Sequence, residues 1–134
     1  MKKLITEKFA LRGLLTILSL IVVFHFLVLL GIIPFEIVWG GRLKDHSQML
    51  AYETVSITLN LVMLTIVGVK ADVLKLNVNR MILNVALWFM FGLFLLNTIG
   101  NLFSINEFEK MVFTPLTLIL AIFSLRAAIN KDKK

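Results

Sequence analysis

Hydrophobic residues in this chain gather into four long runs, over residues 13–33, 49–69, 81–102 and 111–129. Each run is about 20 residues long, and at 1.5 Å per residue a helix of roughly 20 residues crosses the ~30 Å hydrocarbon layer of a bilayer. Membrane strands instead alternate apolar and polar side chains over about ten positions. The runs here are continuous and twice that length. The pattern predicts an all-α integral membrane protein, a bundle of four transmembrane helices forming one domain over residues 1–134.

Polar punctuation sets the expected helix ends. Residues 1–12 read as an amphipathic lead-in, and Pro34 marks the exit of the first helix, because proline does not continue a regular helix. Asp45 followed by Gln48 has the spacing of an N-cap and its third-position partner, which starts the second helix near His46. Ser104 and Glu107 repeat that spacing before the fourth helix, inside which Pro115 invites a kink.

The few polar residues inside the runs fall at nearly one depth. With each run centred on the bilayer, Asn60 lies near the middle, His25 about 4 Å outward, Asn97 about 8 Å and Glu53 about 9 Å. Thr114 and Thr117 lie about 5 to 10 Å outward on the fourth helix. All four helices therefore place a polar group in one slab. Helical spacing puts Glu53 and Asn60 on one face, and Asn97, Gly100, Asn101 and Ser104 on another. Polar groups face lipid only at high cost, so these faces are expected to point inward.

Charge adds an orientation. In a four-span chain the N-terminus, the loop around residues 70–80 and the C-terminus share one side, which carries eleven Lys and Arg residues, while the other carries Arg42, Lys44 and Lys110. That bias predicts both termini in the cytoplasm of a multi-pass cell-membrane protein. The long first run after a basic start reads as an uncleaved anchor, being too long for the apolar part of a cleaved leader. The net charge of +6 is explained by the same bias beside anionic headgroups and calls for no nucleic acid.

Composition removes several chemistries. Cysteine is absent, which excludes disulfides and thiolate chemistry in this chain. His25, Glu36, His46 and Glu53 match no standard metal-ligand spacing, so neither metal nor cofactor is expected. No nucleophile elbow or phosphate-binding glycine loop occurs, and no catalytic residue is assigned.

What remains is a candidate ligand site made of His25, Glu53, Asn60, Asn97, Asn101 and Thr117, with Trp39 and Arg42 at its mouth. His25 and Glu53 form a candidate proton-exchanging pair. Trp39 suits the headgroup layer, and Arg42, after Gly40 and Gly41, is placed to hold an anionic group. The expected partners are membrane lipids, a small ligand or proton, and further copies of the chain, because four helices alone are few for a transport path. Two other readings stand beside this one. The polar layer of an accessory subunit would serve as packing glue between helices, and Glu53 with His25 would supply an acid and a base in a lipid-modifying enzyme.

Overall fold

The structure, a computed structural model, describes residues 5–34 and 44–129. Four helices hold most of them: α1 Glu7–Leu29, α2 His46–Lys70, α3 Arg80–Leu102 and α4 Glu107–Ala128. Each is long and apolar enough to cross a membrane, the make-up of a multi-pass membrane protein.

Side-chain contacts between helix ends establish the up-down-up-down course. His25, late in α1, meets Glu53, early in α2. Lys70, at the end of α2, bonds Asn84 near the start of α3. Thr98, late in α3, meets Thr117 in α4, and Arg126, late in α4, returns to the carbonyl of Ile5 just before α1. The α1–α2 and α3–α4 connections thus share one end of the bundle, called here the distal end. The chain termini and the α2–α3 turn share the other, the terminal end.

Two helix ends depart from the sequence expectation for identifiable reasons. Thr6 caps α1 by accepting the Phe9 N–H at 3.0 Å, so the helix begins at Glu7. Residues assigned to an amphipathic lead-in, Lys8 and Arg12 among them, are the first turns of α1 itself, because a cap and a good first turn extend a helix beyond its apolar stretch. At its other end Gly31 adopts a φ of 85°, and the N–H groups of Gly31 and Ile32 close onto the carbonyls of Val28 and Leu27 at 3.0 and 2.9 Å. This glycine-based stop ends α1 at Leu29, so Pro34 follows the termination and does not cause it.

The start of α2 agrees with the expected cap at Asp45. Asp45 accepts the Gln48 N–H at 2.9 Å, while the Gln48 side chain reaches back to the Lys44 N–H at 2.8 Å. The cap of α4 lies two residues beyond the expected Ser104. Asn106, not Ser104, caps α4 by accepting the Glu109 N–H at 3.0 Å, and Ser104 donates its hydroxyl to the Glu109 carboxylate at 2.6 Å. Asn106 and Glu109 have the same three-residue spacing as Ser104 and Glu107, so spacing alone did not choose between them.

Helix α1 packs on α2 and α4, and α3 packs closely on α4, whereas α2 and α3 meet only sparsely. The core toward the terminal end is apolar, built on Leu14, Leu18, Val67, Leu87, Leu120 and Ala121. Gly13 matters to the α1·α4 seam. A Cβ there would fall 2.3 Å from Phe123 Cε2, and Phe123 is itself held edge-on by Phe9 at 5.6 Å. Two basic residues counted toward the charge bias are buried at this end. Lys70 is 3% exposed, against Asn84 and Glu7, and Arg126 is 5% exposed, its Nε donating to the Ile5 carbonyl at 2.8 Å.

Candidate functional site

The distal half of the bundle holds a cavity of about 480 Å³ walled by all four helices. Its polar wall has a contribution from each. His25 comes from α1, Ser56 and Asn60 from α2, Asn97 and Asn101 from α3, and Glu109 and Thr117 from α4. The apolar wall includes Phe24, Phe94 and Phe113, with Phe24 and Phe113 stacked edge to face at 5.1 Å across the α1·α4 seam.

The cavity faces the sparse α2·α3 seam. Leu59 of α2 and Leu96 of α3 line it and are also outward-facing, Leu96 at 68% exposure. Helices that pack closely would seal such a gap. Here the seam is loose, and the cavity reaches the side of the bundle.

His25 and Glu53 form a close polar contact at the site. Nδ1 of His25 lies 2.6 Å from Oε1 of Glu53, a charge-assisted distance. Glu53 is 0% exposed and is not part of the cavity wall, so the expectation of a carboxylate facing the cavity is corrected. The imidazole stands between the carboxylate and the cavity. With Glu53 ionised, Nδ1–H donates to it and the ring is held by that bond. Nε2 has no hydrogen-bond partner among the described residues and is the nitrogen left for an occupant of the cavity.

The remaining expected residues divide. Asn60 is buried and donates Nδ2 to the Ser56 carbonyl one turn earlier at 2.7 Å, leaving its Oδ1 for the cavity. Thr117 is buried and draws together α3 and α4. Its hydroxyl lies 2.9 Å from that of Thr98 and accepts from Asn101 Nδ2 at 3.3 Å. Asn97 lines the cavity but faces outward at the loose seam, not inward as expected. The inward position belongs to Thr98, one residue and about 100° further round the helix. Trp39 and Arg42, with Glu36, lie outside the described residues.

Sequence reasoning missed Glu109. It is 5% exposed and lines the cavity on the same helix face as Phe113 and Thr117, four and eight residues on. It stands in the first turn of α4, at the N-terminal end of the helix. The Asn106–Glu109 spacing was the available signal. Among the described residues no group of three or more His, Asp or Glu is placed to hold a metal.

The wall therefore contains hydrogen-bonding groups, one carboxyl and an imidazole backed by a second carboxyl, and among the described residues no lysine or arginine lines it. Such an arrangement offers hydrogen-bond acceptors to an occupant. No known protein family, curated protein or solved structure matches this chain.

Proposed function

We propose that this is a cell-membrane protein with both termini cytoplasmic that binds a small lipophilic cation, or a protonated amine, in the cavity of its outer half. The observation that carries the reading is the His25–Glu53 pair, with its buried carboxylate behind an imidazole that lines a four-helix cavity. The volume falls within the roughly 300–1,000 Å³ range of small-molecule sites. Glu109 in the wall and Glu53 behind His25 are the acidic groups on which the preference for a cation rests. Nε2 of His25 would take up or release a proton as the occupant changes, coupling binding to protonation. A path across the membrane, if the protein transports what it binds, requires further copies of the chain.

The packing-glue reading keeps support from one observation, the Thr98–Thr117–Asn101 cluster, whose members bond one another. On our reading that cluster fixes the α3·α4 wall against which the cavity is formed.

Equilibrium dialysis of tetraphenylphosphonium against the protein in zwitterionic nanodiscs tests the proposal. Saturable binding is expected, weakened by Glu53→Gln and by Asn60→Leu. Uptake that rises linearly with probe, or that is the same in wild type and both variants, is partition into lipid and would end this reading.

A further inference from the structure

A second cavity, of about 370 Å³, lies at the terminal end, between the first two turns of α1 and the α2–α3 turn. Its cationic wall is Lys8, Arg12, Lys70 and Arg80, and its acidic wall is Glu7 and Asp72. Four positive side chains against two negative ones leave a surplus of two positive charges. Leu11 and Leu15 line it as well, one turn further along the same face of α1.

The charges are not equivalent. Lys70 is buried and engaged by Glu7, with Nζ and Oε2 3.6 Å apart, and by Asn84. Lys8, Arg12 and Arg80 are exposed at the rim and form no ion pair among the described residues. Arg12 follows Lys8 by four residues, so both project from one side of α1, while Arg80 opens α3 and lines the same cavity. Asp72, held at a φ of 62° just past the end of α2, turns the chain back toward this cavity.

We infer that this cavity binds a phosphate group, carried on a phospholipid or free. Two guanidinium groups and an ammonium converging from two elements match a tetrahedral anion, because arginine offers paired donors to phosphate oxygens and lysine a point charge. The leucines beneath the cationic rim suit the glycerol and first acyl carbons of a lipid, which a free anion would leave uncovered. The site lies at the other end of the bundle from the His25–Glu53 pair and does not depend on the function proposed for that pair.

Native mass spectrometry of the solubilised full chain tests the inference, with dioleoyl-phosphatidylglycerol and inorganic phosphate titrated separately. The variant is Arg12→Gln with Arg80→Gln, both exposed and away from the apolar core, and Lys75→Gln serves as a charge control outside the cavity. Retained phosphatidylglycerol is expected in wild type and in Lys75→Gln, with roughly tenfold or greater weakening in the double variant. Arg12→Lys with Arg80→Lys should restore part of the loss. Retention of phosphate but not lipid would identify a free anion as the occupant and keep the site. Binding of neither probe, or equal lipid binding in wild type and the double glutamine variant, or equal loss in the Lys75 control, would overturn it.

Discussion

Nδ1 of His25 and Oε1 of Glu53 stand 2.6 Å apart across the α1·α2 seam, with the carboxylate sealed behind the ring. A buried acid is tolerated only with partners, so this bond ties the two helices as well as shaping the cavity wall. Glu53→Ala should cost about 1–3 kcal/mol of stability, from a lost charge-assisted bond and the space left behind. Glu53→Gln retains an acceptor and should cost less. Reversible unfolding in mixed micelles, with His25→Ala and the double variant, gives the coupling energy. A value near zero would mean that the two side chains contribute independently and that the contact does not hold the seam.

Thr117 accepts from Asn101, and its single hydroxyl proton goes either to the Thr98 hydroxyl at 2.9 Å or to the Phe113 carbonyl at 2.8 Å. Thr117→Val preserves shape and removes the hydroxyl. We expect a loss of about 1 kcal/mol, within the range of interhelical hydrogen bonds in membranes. Thr98→Val in the Thr117→Val background should then add little, because the shared bond is already gone. Additive losses would show that the two hydroxyls do not act on each other.

Gly13 leaves room for the Phe123 ring against α1. Gly13→Ala forces that ring to shift, and Gly13→Leu leaves it no place at the present helix separation. Overpacking of this kind typically costs about 1–3 kcal/mol. The two substitutions should therefore rank Ala then Leu in lowering the melting temperature, with Phe123→Ala partly relieving Gly13→Leu. An unchanged melting temperature for Gly13→Leu would contradict the close α1·α4 approach.

Ser124 is fully buried, and its hydroxyl has no hydrogen-bond partner among the described residues. A hydroxyl in that position is a cost, so Ser124→Ala should leave stability unchanged or raise it by up to about 1 kcal/mol. A clear loss on removing the hydroxyl would show that it has a partner in the protein as it exists in a membrane.

The absence of cysteine makes orientation directly measurable. Ser47→Cys, exposed at the distal end, should react in intact cells with a maleimide that does not cross membranes. Lys75→Cys, exposed at the terminal end, should react only after permeabilisation. The reverse pattern would invert the proposed topology.

The helices were legible because lipid-spanning segments need sustained hydrophobicity, and the gathering of polar residues from four helices in one half of the bundle followed from counting along each run. Rotation about each helix axis was less legible. Asn97 and Thr98 differ by one residue, and a rule that sends the more polar side chain inward chose Asn97. Thr98 can donate its hydroxyl within its own helix, to the Phe94 carbonyl at 2.8 Å, and accept from Thr117 at 2.9 Å. That makes threonine less costly to bury than asparagine. The same limit hid the burial of Lys70 and Arg126, counted only toward the charge bias, because their partners come from distant parts of the chain. The contact between His25 and Glu53, 28 residues apart, needed both helices in place before it could be seen.

The unequal seams bear on how the distal cavity fills. An occupant that slips in between α2 and α3 comes from the surrounding acyl chains, so its effective concentration is set by its oil–water partition coefficient and the volume of lipid present. Apparent affinity measured against total added compound should then weaken as lipid is increased at constant protein, while affinity expressed per mole of lipid stays constant. Among compounds of equal charge, potency should follow lipophilicity up to the size the cavity admits, and fall beyond it.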